Sequence, residues 1–272
     1  MMLARSHITK SFLNRQSLSS LTSVSKFSST SSASAKKSDS DITRIPIKHL
    51  GVMAPYYIPP PIFSSPFSSW HKLVLRRWGQ FFYNTYSIYK FKSDTGKAPK
   101  FEAWKDSAIA IFIKTNKAFA EKKTQLLMDE TVGVQTFNSL HERSETIPKH
   151  TKLEWELVKI EENPKVVSFN ALPDPNGVTG MIQFVMKLRS TQRVTVKTAG
   201  AEPTSTERTS TDYLVYSLDP YSDEMCLVGS LFECDHLRPI QPDLESVSNY
   251  KQMVAFQKEC ADIFREKPKR NN

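Results

Sequence analysis

The sequence predicts an α+β fold in which helices come first, antiparallel strands follow, and one more helix closes the chain. Three observations predict it. Apolar residues recur at helical spacing from 70 to 142, alternate at period two in short runs between 153 and 234, and return to helical spacing from 244 to 265. At 272 residues and 39% hydrophobic content, the chain can bury a sizeable core.

Taken in order, residues 1–38 carry Arg5, Lys10, Arg15, Lys26, Lys36 and Lys37, many serines and no acidic residue. They lack the unbroken apolar run of a secretory signal, and this is the composition of a mitochondrial transit peptide. Ala4, Ile8 and Phe12 share a helical face, but Arg15 falls on it too, so composition carries the reading. A Ser-rich disordered tail is the bland alternative. Residues 39–69 read as an extended strap: Pro55, Pro59, Pro60, Pro61 and Pro66 forbid a continuous helix, although 50–70 is the longest stretch free of charge and histidine. Such a strap either docks on a partner or wraps its own domain. No run is long, apolar and proline-poor enough to span a bilayer, so contact with a membrane would be peripheral.

Residues 70–272 read as a single domain. Over 70–89 a helical wheel gathers Trp70, Val74, Leu75, Trp78, Phe81, Phe82, Ile88 and Tyr89 on one arc, with Lys72, Arg76, Tyr83 and Lys90 opposite and Arg77 at the border. Three readings compete: a core helix with solvated charges, an interfacial helix with aromatics at the headgroup level and cations on anionic lipid, and a helix whose cations meet RNA phosphates. The breaker 95–99 precedes a second helix, whose stripe of Phe101, Trp104, Ala108, Ile111, Phe112, Thr115 and Phe119 reads as core. A weaker helical rhythm runs over 124–142, interrupted by Gly133.

After Pro148 the expected strands are 153–157, 165–171, 181–190, 193–197 as the hairpin return of 181–190, 211–218 and 225–234, with 200–210 as a soft loop. Short polar connections favour an antiparallel sheet with helices on one face. The final helix ends in a basic tail of Arg265, Lys267, Lys269 and Arg270.

Charge is unevenly divided. The net charge is +9, but 70–123 holds twelve basic against four acidic residues, while 124–272 holds seventeen against twenty-two. The cations expected to meet anionic lipid or RNA phosphates are Lys72, Arg76, Arg77, Lys90 and Lys92, with the basic C-terminal tail of Arg265, Lys267, Lys269 and Arg270 as a separate supplementary contact. Trp70, Trp78, Phe81 and Phe82 are the expected membrane-interface aromatics. Catalytic chemistry has no visible constellation. The six histidines offer no i,i+4 metal pair, Cys226, Cys234 and Cys260 fit no zinc spacing, and eight glycines argue against phosphate-cradling loops. The expectation is a non-enzyme without metal or cofactor, its cysteines buried as small hydrophobes.

Several dispersed motifs carry a resemblance. His49-Leu50-Gly51-Val52-Met53-Ala54-Pro55 leads into Tyr57-Ile58-Pro59, followed by Phe101 with Trp104-Lys105, Leu153-Glu154-Trp155, Asp212-Tyr213 and Gly229-Ser230-Leu231-Phe232-Glu233. In this order they resemble a fungal mitochondrial family, the inner-membrane mitoribosome receptors that cooperate with the membrane insertase. The resemblance implies a cone-like fold similar to the C-terminal domain of the presequence-translocase motor anchor, also shared by a mitoribosomal protein near the tunnel exit. It further implies a peripheral protein on the matrix face, without catalytic or metal residues. Such a protein aligns the large subunit's exit tunnel with the insertase for insertion of nascent mitochondrially encoded proteins. A structural subunit of the large mitoribosomal particle and an import-motor adaptor are the alternatives.

Overall fold

The longest strands form the spine of the molecule. In the computed structural model, which describes residues 46–53, 57–127, 131–148, 150–198, 200, 202–234 and 250–267, β3 (Thr179–Thr198) and β4 (Thr204–Leu218) pair antiparallel from Ile182↔Leu218 to Val196↔Thr204. The other edge of β3 takes two strands end to end: β2 (Lys165–Pro173) on its first half and β1 (Thr151–Ile160) on its second. β5 (Met225–Leu231) pairs only with the last stretch of β4, from Tyr213↔Leu231 to Leu218↔Met225. The result is a five-stranded antiparallel sheet. The described residues all lie in one unit, Thr43–Asn272; the segment 1–38 lies outside them.

The expected hairpin between 181–190 and 193–197 is instead one uninterrupted strand. Ser190-Thr191-Gln192 supplies none of the Gly, Asn or Asp residues that a two-residue hairpin turn requires. These residues continue the ladder: the hydroxyls of Thr191 and Thr209 meet at 2.8 Å across the pair. The reversal comes later, near Gly200 at φ 84°, so most of the expected loop 200–210 is strand.

The N-terminal helices pack on one face of the sheet, as expected, and the strap and the last helix cover the opposite face over its β5 half. Ile182, Phe184, Met186, Leu188, Leu214, Tyr216, Leu218 and Leu227 point into the core formed with α1 (Trp70–Thr95), α2 (Phe101–Ala120) and α3 (Val134–Thr146). Trp104 stacks against both Phe169 and Phe184 there. The alternate residues Met181, Val185, Tyr213, Val215, Cys226 and Val228 are buried under Ile47, Val52 and Ile58 of the strap and under Phe256 and Cys260 of α4 (Tyr250–Ala261). All seven residues of β5 are therefore buried. The expected start of the last helix at 244–249 lies outside the described residues.

Pro61 keeps φ −56° and ψ 136°, a polyproline-like conformation, but the strap also contains short 3-10 turns at Ile47–His49, Ile62–Ser64 and Phe67–Ser69. Its main chain is fastened by one buried side chain. Gln183 Nε2 donates to the Gly51 carbonyl at 2.8 Å, and Gln183 Oε1 accepts from the Met53 N–H at 3.0 Å. Farther along, the Cys234 N–H donates to the Ile58 carbonyl at 2.8 Å and the Ile58 N–H to Cys234 Sγ at 3.3 Å.

Candidate functional site

Helix α1 is inside out. After the Phe67–Ser69 turn it runs 26 residues and stops at Gly96, whose φ of 66° and N–H to the Lys92 carbonyl make a left-handed cap. Its buried residues are Leu73, Ser87 and Phe91. Most of the arc that the wheel gathers as apolar faces outward: Leu75 is 74% exposed, Trp78 57% and Phe82 61%, with Val74, Phe81 and Tyr89 exposed beside them and Tyr86 widening the stripe, while Ile88 packs against the core. The core-helix reading therefore fails for Val74, Leu75, Trp78, Phe81, Phe82 and Tyr89.

The inward side is held by polar contacts that hydropathy does not register. A bulge between Val166 and Ser168 leaves the Val167 carbonyl of edge strand β2 outside the ladder. Gln80 Nε2 and Asn84 Nδ2 donate to that carbonyl at 3.0 and 3.2 Å, and Asn84 Oδ1 accepts from the Phe169 N–H at 3.1 Å. Amide side chains thus cover a sheet edge that would otherwise invite pairing. They also turn the aromatic arc away from the sheet.

The rings of that arc form a continuous surface. Trp78, Phe81 and Phe82 lie 5.8–6.4 Å apart by centroid. Trp70 is half-buried at the near end: its Nε1–H donates to the Ser65 carbonyl at 3.2 Å, and its ring meets Phe63 at 5.8 Å and Phe67 at 4.9 Å. Phe63 and Phe67 are themselves 91% and 80% exposed, and they extend the surface beyond the helix. An apolar face this long on one element marks a site for a partner or a lipid surface. No described helix is long and apolar enough to cross a membrane.

The expected cations divide differently. Lys72 and Lys92 are exposed. Arg77 Nη2 donates to the Pro60 carbonyl at 2.8 Å, and the Arg76 guanidinium lies over the Tyr57 ring at 5.3 Å, so both hold the strap. Lys90 pairs with Asp94 at 3.0 Å and donates to the Gly177 carbonyl at 2.9 Å. Thr179 also hydrogen-bonds Asp94, and with Lys90 it keeps that carboxyl below its ordinary range. Arg265 is a framework residue: it donates to the Ser230 carbonyl at 2.8 Å, pairs with Glu259 at 3.2 Å and stacks on Phe232 at 4.7 Å. Lys267 stands 3.8 Å from Glu233, while Lys269 and Arg270 lie outside the described residues. Arg77 and Arg265 thus bond open backbone carbonyls and Arg76 a tyrosine ring, while Lys72 and Lys92 stand exposed on the helix.

A second basic surface escaped the sequence reading because α2 reads as core. Lys114, Lys117 and Lys123 rim an open groove of ≈ 510 Å³, floored by Ala110, Ile113, Ala118 and Leu126, with Lys123 paired to Glu121 at 2.8 Å. The excess of lysine over 114–123 was the available signal.

The motif residues serve the framework. A Cβ on Gly229 would stand 2.5 Å from the Cys260 carbonyl oxygen, so glycine is what lets α4 pack directly on β5. The Tyr213 hydroxyl donates to Glu233 at 2.9 Å, and Gly51 is the strap's anchor on Gln183. Among the described residues no three His, Cys, Asp or Glu side chains group as a metal site. All three cysteines are buried and outside any disulfide; burial pushes the Cys226 thiol up to about 12 and the Cys260 thiol up to about 11. At pH 8 such thiols are only ~0.01–0.1% thiolate. Iodoacetamide is therefore expected to leave Cys226 and Cys260 unmodified in the folded chain and to alkylate them fully in denaturant, as read by intact mass. Fast native labelling at either would contradict this packing.

Comparison with known proteins adds two findings. A family model described as MBA1-like protein matches residues 36–269. The inner membrane mitoribosome receptor MBA1, mitochondrial, of Saccharomyces cerevisiae is 31% identical over 193 residues, which is 68% of this chain and 69% of that protein.

Proposed function

Since the chain belongs to the MBA1-like protein family, we propose that it is a peripheral receptor of the mitochondrial inner membrane that holds the mitoribosome. Residues 1–38 are the import address, 39–69 the strap and 70–272 the working domain. The outward aromatic stripe of α1 carries this reading. A helix that spends its polar side on a sheet edge and leaves Trp78, Phe81 and Phe82 exposed has the arrangement of an interfacial helix, with the domain body in water and the rings at the headgroup level. The basic rim of the α2 groove, Lys114, Lys117 and Lys123, is the surface for the ribosome's anionic large subunit, supplemented by the C-terminal lysines. Holding the particle on one surface and lipid on another aligns its exit tunnel with the insertase, so nascent membrane segments emerge beside it. The role is adhesion, with no catalytic step.

The test separates the two attachments. Lys114→Glu combined with Lys117→Glu should reduce co-sedimentation with large subunits about tenfold and make the remainder more salt-sensitive, while vesicle flotation is unchanged. The native protein should leave membranes in carbonate and ribosomes in high salt. Stoichiometric retention in salt-washed large subunits would identify a structural subunit instead. Charge reversal at Arg76 or Arg77 is a poor probe, because both hold the strap.

A further inference from the structure

Beside the stripe, strap and α1 enclose a cleft that neither attachment uses. Tyr57, Arg76, Gly79, Gln80, Tyr83 and Ser168 line its ≈ 410 Å³. Its helical wall adjoins the aromatic face: Gly79 and Tyr83 each follow a stripe residue, Trp78 and Phe82, by one position, or about 100° around the helix. The lining holds a guanidinium and the hydroxyls of Tyr57, Tyr83 and Ser168, and no carboxylate. Arg76 lies over the ring of Tyr57 and beside its hydroxyl, which is buried and has no acceptor for its proton among the described residues. Ser168 Oγ accepts from Asn170 at 3.4 Å, which leaves its proton to donate. At Gly79 a Cβ would meet nothing within 4 Å, so the floor is open. A buried orphan donor beside an arginine is costly unless an anion completes it.

We propose that this cleft holds the phosphodiester of an anionic glycerophospholipid whose acyl chains lie along the stripe. The inference rests on the stripe being the membrane face. An interfacial helix sinks its apolar side roughly 5–10 Å, to the boundary between acyl chains and headgroups. The flank of α1 then stands at phosphate level, where the Arg76 guanidinium and the Tyr57 hydroxyl are donors to the phosphate oxygens. A diffuse basic face attracts any anionic surface in proportion to charge; this cleft adds a stoichiometric preference that survives moderate salt.

Flotation of the full chain is measured at fixed salt on vesicles of phosphatidylcholine alone and of phosphatidylcholine mixed with phosphatidylglycerol. Gly79→Gln fills the floor without altering charge, and Tyr57→Phe removes only the hydroxyl. Both should lower binding to the mixed vesicles about tenfold and binding to phosphatidylcholine, whose phosphodiester is neutralised by its own choline, by much less, so that the preference for phosphatidylglycerol falls. If both variants keep the preference while Trp78→Ala with Phe82→Ala weakens binding about thirtyfold, the cleft assignment is wrong and the stripe stands. If the stripe variant binds like the native protein, the membrane face itself is wrong. Inorganic phosphate that competes as well as dispersed short-chain phosphatidylglycerol would assign the cleft to a soluble anion and overturn the lipid.

Discussion

Trp78→Ala together with Phe82→Ala is expected to weaken binding to phospholipid vesicles about thirtyfold, with no loss of folding. Both rings are more than half exposed, and neither belongs to a core cluster. Transferring that exposed apolar area from water contributes ~1 kcal/mol per ring, so losing two costs about 2 kcal/mol of partition free energy. Stability is expected to move by less than ~1 kcal/mol, because what the fold loses is ring contact within the stripe, and alanine raises helix propensity in return. A flotation titration read beside a thermal melt checks both halves. A melt shifted as far as the binding would mean the stripe faces the protein and not lipid.

The same helix shows where sequence reading succeeds and stops. The membership of its aromatic arc follows from the spacing of Trp78, Phe82 and Tyr89, and its end from the stop at Gly96. A wheel sorts residues into faces but does not say which face meets the core. That was decided by the open carbonyl of Val167, whose need for donors drew in Gln80 and Asn84. Hydropathy has no term for a backbone group awaiting a partner. Arg77 on Pro60 and Arg265 on Ser230 follow the same rule, so two expected contact residues also brace the framework.

The sheet was legible wherever its chemistry is local. Leu153, Trp155 and Leu157 alternate with acids, and Pro148 marks the change of period. The length of β3 was not, because the residues at 190–192 are compatible with strand or connection, and only their partners on β4 decide. The α2 lysines were visible as charge but not as a surface, since their grouping depends on Leu126 arriving from the next turn.

Gln183→Ala is expected to be the most damaging single substitution among the described polar residues, and its effect should reach the stripe. Gln183 is fully buried, and its one amide ties the sheet to both Gly51 and Met53. Truncation leaves the Gly51 carbonyl and the Met53 N–H without that partner, at ~1–3 kcal/mol for each buried unsatisfied group. About 3 kcal/mol in a domain of this size lowers the melting temperature by roughly 6–12 °C. The consequence travels along the strap. Tyr57 and Pro60 lie a few residues on, and they hold Arg76 and Arg77 of α1. A loosened strap therefore frees the helix end that presents Trp70 and Trp78, and it uncovers the buried thiols of Cys226 and Cys234. Weaker vesicle binding and faster alkylation should appear together, below the melting transition. A variant that melts early yet binds vesicles and resists alkylation like the native chain at low temperature would show that α1 keeps its orientation through the Val167 contacts alone.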